Sequence, residues 1–215
     1  MRVEQGAALG LFGPSGAGKS TLLECIAGIE HPDRGRICLD DIQLFPPPLP
    51  LYRRPLGYLT QEANLFPHLT AGQNVCFGLG NGALAGDQKR WVEELRERLQ
   101  LEPVWQASAT KISGGQARRV ALARMLARRP RLVLLDEPFS GLDRATTRRL
   151  IDDLLTWSGI LGFSMIAVDH QAENLQRLTR RAVVLEEGKI VQEGTWDDLY
   201  ASPATPCLRG LLKAL

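Results

Sequence analysis

The chain has 215 residues, 44% of them apolar, and a formal charge of +2. That length suffices for one domain with a sizeable core, and so small a charge excludes an electrostatic argument for nucleic acid or a strongly acidic partner. Cys25, Cys38, Cys76 and Cys207 lie far apart in mostly apolar neighbourhoods with no C-x-x-C pair, which points to reduced thiols of a cytosolic protein rather than to a disulfide framework or a metal site.

Met1-Arg2-Val3-Glu4-Gln5 opens no signal-peptide h-region, and the longest near-apolar run, residues 159–168, is too short to span a bilayer, so any membrane role is expected to come through a partner. Residues 7–12 read as a buried strand. It runs into Gly13-Pro14-Ser15-Gly16-Ala17-Gly18-Lys19-Ser20-Thr21, which fits G-x-x-x-x-G-K-[ST], a phosphate-binding loop. A helix is expected through Ala27, with Gly28 as its stop. Gly16 and Gly18 let backbone N–H groups turn inward onto phosphate oxygens, and the helix start adds its positive dipole end. Lys19 is positioned to reach the β- and γ-phosphates of a nucleotide, and the Ser20 hydroxyl to ligate Mg²⁺.

Pro32-Asp33-Arg34-Gly35 reads as a turn, residues 36–39 as a short strand, and Pro46-Pro47-Pro48-Leu49-Pro50 as a stiff, extended surface connector. Residues 56–59 read as a strand running straight into Gln61. Phe66-Pro67-His68-Leu69-Thr70 is a loop whose Thr70 can cap a helix at Ala71. Gly80, Asn81, Gly82 and Gly86 form a break, after which Asp87 begins an amphipathic helix with Trp91, Leu95 and Leu99 on its core face. Residues 65–112 therefore read as a helical subdomain inserted into a core made of 1–64 and 113–215. Residues 116–127 are helical and Arg-rich, 132–135 a continuous apolar strand, 144–157 helical, and 163–168 another buried strand. Residues 182–185 and 189–193 pair around Glu187-Gly188, and Thr195 with Asp198 makes a capping box. The expected fold is α/β, a mainly parallel sheet interrupted by the helical subdomain.

Asp136 ends the apolar strand and Glu137 follows it. A strand-end carboxylate beside a phosphate loop can hold Mg²⁺, and the next carboxylate can orient or deprotonate a water. Ile112-Ser113-Gly114-Gly115-Gln116 is a second anion-binding device, a hydroxyl and glycine N–H groups at a helix start. It resembles the L-S-G-G-Q signature of ATP-binding-cassette (ABC) ATPases, with Ile for Leu. Taken with that family, Gln61 looks like the glutamine that contacts Mg²⁺ and the attacking water. Ser140-Gly141-Leu142-Asp143 resembles the D-loop, His170 the switch histidine, and Arg119 an arginine after the signature. Arg118, Arg124 and Arg128 read as a solvated face, and His31 and His68 carry no role.

The resemblance spans essentially the whole chain and implies the P-loop NTPase core of the ABC ATPase fold. It implies two such domains facing head to tail around two ATP molecules, with Ser113, Gly114, Gly115, Gln116 and Asp143 acting on the partner's nucleotide. A permease would dock near residues 61–70, on the cytoplasmic side of the cell membrane. Phe66-Pro67-His68-Leu69-Thr70 and residues 198–205 look most like ATPase subunits of bacterial importers for molybdate, sulfate, polyamines or thiamine. Three features depart from the pattern. Only Phe12 offers an aromatic ring before Gly13, where members carry an adenine-stacking residue, so either the start lies upstream or nucleotide binds weakly; Asp169 stands for the usual Thr; and Gln171 stands for the usual Asp. Such subunits often have a C-terminal regulatory domain, and none is expected here. The implied function is ATP hydrolysis driving a transporter; the alternatives are a soluble non-transport ABC ATPase and a low-turnover regulatory nucleotide-binding subunit.

Overall fold

A computed structural model describes residues 1–79 and 86–213. Gly80, Asn81 and Gly82 of the expected break lie outside the described residues. The strands are β1 (Ala8–Phe12), β2 (Ile37–Leu39), β3 (Ile42–Phe45), β4 (Leu56–Leu59), β5 (Leu132–Asp136), β6 (Ser164–Val168), β7 (Arg181–Glu186) and β8 (Lys189–Thr195). The helices are α1 (Lys19–Ala27), α2 (Ala71–Cys76), α3 (Gly86–Arg98), α4 (Gly114–Ala127), α5 (Arg144–Leu161), α6 (Ala172–Leu178), α7 (Trp196–Ala201) and α8 (Pro206–Lys213).

Six strands form one sheet in the order β4-β5-β6-β1-β7-β8, parallel except for the β7–β8 pair; β2 and β3 make a separate hairpin. Alternation assigns each strand's side chains to opposite faces. Leu9, Leu11, Leu132, Leu134, Ile166, Val168, Val183 and Leu185 point to the α1 side, with Leu23 and Ile26. Val133, Leu135, Met165, Ala167, Ala182 and Val184 point to the other side, where residues of α3, α4, α5 and α6 cover them. There Trp91 donates to Leu126 O at 2.9 Å and meets Trp157 edge-on, a pairing worth about 1 kcal/mol beyond area.

The expected stop at Gly28 is present, in the left-handed conformation with φ 89°. Thr70 caps α2 reciprocally with Gln73, and Thr195 caps α7 with Asp198. Four expectations change. Residues 36–39 are half of a hairpin, whose second strand, β3, has only four residues. The proline run forms a turn over residues 46–48. The 144–157 helix continues to Leu161, because Leu154, Trp157 and Ser158 are still buried there. Cys38 and Cys207 are exposed rather than set in apolar surroundings; all four cysteines are free thiols.

Candidate functional site

Parallel strands put their C-terminal ends on one edge, and that edge carries the site. The loop after β1 turns through Gly13 at φ 146°, where a Cβ would lie 2.0 Å from Leu185 O, so only glycine fits. Gly16 and Gly18 also have positive φ, and Gly18 opens α1 without a side-chain cap, leaving the helix start to a ligand. Gly188 N donates to Ala17 O at 3.1 Å, so the β7–β8 turn braces the loop. Lys19, only 7% exposed, folds its ammonium onto Gly13 O at 3.0 Å and Pro14 O at 2.7 Å. Burial holds its pKa below the ordinary lysine value, while Asp136 and Glu137 oppose that shift. Pro14, Ser15, Ala17, Ser20 and Thr21 complete the loop and first turn; Ser20 and Thr21 face solvent.

Asp136 ends β5 and is buried, with the Tyr58 hydroxyl donating to it at 3.4 Å. Burial, then Asp136, push the Tyr58 pKa up, so the phenol stays a donor. Glu137 adopts φ 51°, and its N–H donates to Val168 O at 2.9 Å, anchoring the turn to the end of β6. His170 follows that strand, and its Nε2 lies 2.5 Å from Glu137 Oε1. Gln61, just beyond β4, donates through Nε2 to Glu137 Oε2 at 3.3 Å. Glu137 thus directly contacts both His170 and Gln61, residues far apart in sequence. Asp169 is buried and accepts from Gln171 N at 2.7 Å and Asn174 Nδ2 at 3.4 Å; burial raises its pKa.

The second group stays local. Ser113 Oγ accepts from Gln116 N, and Gln116 Oε1 accepts from Ser113 N at 2.9 Å, a capping box at the start of α4 that leaves Gly114 and Gly115 bare. Asp143 caps α5 through Thr146, whose two hydrogen bonds hold the carboxyl pKa below its usual value.

Arg118 corrects the expectation of a solvated arginine face. It is 7% exposed and donates to the carbonyls of Gln61, Asp136, Glu137 and Pro138. Arg124 also turns inward, donating to Asn64 O at 2.8 Å and Ala63 O at 3.1 Å, whereas Arg128 is exposed. Arg119 donates to Leu99 O at 3.0 Å. Sequence reasoning missed Arg118 because α4 is buried on nearly every side from Val120 to Ala127, so its pattern does not say which face is wet. The Tyr58–Asp136 contact had one available signal, the position of Tyr58 one residue before the end of the strand that leads to Gln61.

The family model for ABC transporters matches residues 1–140. The chain belongs to the ABC transporter family. An Fe(3+) ions import ATP-binding protein of Rhodococcus jostii is 43% identical over 206 residues, covering 94% of this chain; the chain spans 58% of that relative's length. A probable sulfate/thiosulfate import ATP-binding protein of Chlorella vulgaris is 38% identical over 213 residues, covering 99% of this chain and 89% of its own. Among solved structures, a dimeric ATP-binding cassette in a post-hydrolysis state with ADP and Pi superimposes with a TM-score of 0.81 at 29% identity, over 91% of this chain and 88% of that one. In this ABC transporter family chain the glycine loop, Gln61, the Ser113 helix start, Asp136 and Glu137 all fall inside the matched residues, and His170 lies beyond them.

Proposed function

We propose that this ABC transporter family chain binds and hydrolyses ATP and powers import through a membrane permease. The observation that carries the reading is the contact of Glu137 with both His170 and Gln61 at the sheet edge that also bears the phosphate loop. Backbone N–H groups of the loop from Ser15 to Thr21 cradle the phosphates, and Lys19 leaves the Gly13 and Pro14 carbonyls for the β- and γ-oxygens. Ser20, Asp136 and Gln61 offer only oxygen donors, the hard set that Mg²⁺ takes, and the buried Asp136 carboxylate has lone pairs beyond its single Tyr58 contact. Bound there, Mg²⁺ supplies charge relief to the phosphate oxygens. Glu137 accepts the proton of the attacking water, Gln61 orients that water, and His170 holds the Glu137 carboxylate and meets the γ-phosphate.

The unit is a pair of such chains, head to tail. Ser113, Gly114, Gly115 and Gln116, with Asp143, act on the nucleotide held by the opposite subunit. Residues 65–112 form a helical subdomain on a core of 1–64 and 113–215. Between them lies a groove of about 350 Å³ lined by Tyr58, Phe66, Phe77, Met125 and Arg128, which takes an apolar segment of the permease. Asn74 clamps its rim by accepting from Phe66 N at 2.9 Å and donating to Phe66 O at 3.2 Å. No helix among the described residues is long and apolar enough to cross a membrane; in this reading the chain sits on the cytoplasmic side, held by that docking. The Rhodococcus and Chlorella relatives are import ATP-binding proteins, which supports import as the direction.

The test is purification of the chain with its membrane partner, with ATPase activity measured alone and in the complex. Phe77→Ala, at a half-exposed position, is expected to leave ATPase activity of the free chain intact and to reduce recovery of the permease. An ATPase rate at the buffer blank, in both free chain and complex, would sink the hydrolytic reading.

A further inference from the structure

A guanidinium has five N–H donors in a fixed fork and no acceptor. Arg118 makes four hydrogen bonds with that fork, all of them to main-chain carbonyls at the site. Nε donates to Pro138 O at 3.1 Å, Nη2 to Asp136 O at 2.8 Å and also to Glu137 O, and Nη1 to Gln61 O. Three of these acceptors are the consecutive carbonyls of the turn after β5, which holds Glu137 in the left-handed region. The fourth belongs to the loop after the neighbouring strand β4. Those two segments are the ones whose side chains meet, Gln61 Nε2 to Glu137 Oε2 at 3.3 Å. The β4–β5 ladder ends at the Leu59–Leu135 pair, so beyond it the register of Gln61 against Glu137 needs another support.

We infer that Arg118 is a positioning residue for hydrolysis, clamping the Gln61 loop to the Glu137 turn so that amide and carboxylate converge on the same water. Its side chain reaches the site from α4, the helix that Ser113 caps, and it is buried beneath the turn rather than open to nucleotide. Its charge also lies in the field of Asp136, Glu137 and Asp169, which oppose the lowering of its pKa by burial. A lysine keeps that charge but is a single point with three donors, unable to span four carbonyls in two segments. Substitution should therefore move the chemical step while the phosphate loop, built from residues 13–21, keeps its grip on ATP. This inference rests on the hydrolytic reading of Glu137 and Gln61 given above.

The experiment compares the full chain with Arg118→Lys, Gln61→Ala, the double variant and Glu137→Gln, measuring kcat, KM and equilibrium ATP binding. The expected result is a kcat at least tenfold lower for Arg118→Lys, KM and ATP affinity within twofold of the parent, and less than a further twofold loss when Arg118→Lys is added to Gln61→Ala. A kcat within twofold of the parent overturns the inference. So does a loss that falls equally on ATP affinity, or one fully additive with Gln61→Ala, since either marks Arg118 as a fold residue. Arg118→Gln is read the same way where the lysine variant does not fold, and failure of both to fold also overturns it. Near-parental turnover by Glu137→Gln would instead count against the hydrolytic reading itself, whatever Arg118→Lys does.

Discussion

His170 Nε2 stands 2.5 Å from Glu137 Oε1, and the two residues sit just beyond the ends of the adjacent parallel strands β6 and β5. Both carboxylate oxygens of Glu137 are engaged, because Gln61 donates to the other. Glu137→Gln keeps the shape and removes the proton acceptor, so ATP binding should persist while turnover falls by about 10²–10⁴-fold. His170→Ala leaves the carboxylate in place and held by Gln61 alone, and a smaller loss is expected, about tenfold in kcat. Single-turnover hydrolysis beside equilibrium nucleotide binding measures both. Equal losses in binding and turnover would contradict the assignment.

Gly13→Ala tests the loop. The added methyl would meet Leu185 O at 2.0 Å, and the backbone at φ 146° disfavours any side chain. The neighbour is main chain of β7 and has little room to yield. Destabilisation of about 3 kcal/mol is expected, with loss of ATP binding. Thermal unfolding of this variant against Gly16→Ala, whose Cβ would meet nothing within 4 Å, separates crowding from loop chemistry.

Asp169 gives a pH-dependent prediction. Burial raises its carboxyl pKa above the unfolded value near 3.8. The native state therefore binds the proton more tightly than the unfolded chain does. The stability this contributes is full below the unfolded pKa and is lost as pH rises through the raised native one. At neutral pH the ionised carboxylate is a cost, offset in part by its bonds from Gln171 N and Asn174 Nδ2. Asp169→Asn keeps an acceptor oxygen and removes the charge. It should raise the melting temperature at pH 7–8, and the gain over the parent should shrink as pH falls toward 4. A gain that grows on acidification would contradict this.

The head-to-tail pair predicts complementation. Ser113→Arg removes the α4 cap, at a cost of about 1 kcal/mol, and puts bulk on the signature while sparing the chain's own phosphate loop. Lys19→Ala does the reverse. Each variant alone should be inactive, and mixing them creates one composite site with both defects and one with neither. Partial recovery of ATPase activity on mixing is expected. Cysteines at positions 15 and 113, in a background without Cys25, Cys38, Cys76 and Cys207, should crosslink between chains only with ATP. A crosslink that forms within one chain, or equally without ATP, rules the arrangement out.

Much of this was legible because particular residues speak locally. The continuous apolar run at 132–135 marks a buried parallel strand, and Gly28 marks a helix end. Glycines and Lys19 mark the phosphate loop by a spacing with a mechanism. What stayed illegible depends on neighbours far along the chain. β3 is four residues with a polar Gln43 exposed beside the proline turn, and it is a strand only because β2 pairs with it. α6 and α8 are only seven and eight residues long, about two turns each, too short for a helical period to stand out in the sequence. The contact of Glu137 with Gln61 and His170, and the burial of Arg118, arise where separate strand ends converge, which no local pattern records.

The position of β6 has a consequence for the order in which the molecule is made. β1 and β5, which carry the phosphate loop and Asp136, are not neighbours; β6 lies between them, pairing Ala8 with Met165 on one side and Leu132 with Ser164 on the other. A nascent chain that has emerged as far as residue 140 already holds the glycine loop, Gln61, the Ser113 helix start, Asp136 and Glu137. It still lacks the strand that joins them, and its two richest apolar strands have open edges. The phosphate loop and Asp136 are joined only once β6 has been made, and the loop gains its brace from the β7–β8 turn later still, so the edge that carries the site is assembled from the last third of the chain inward.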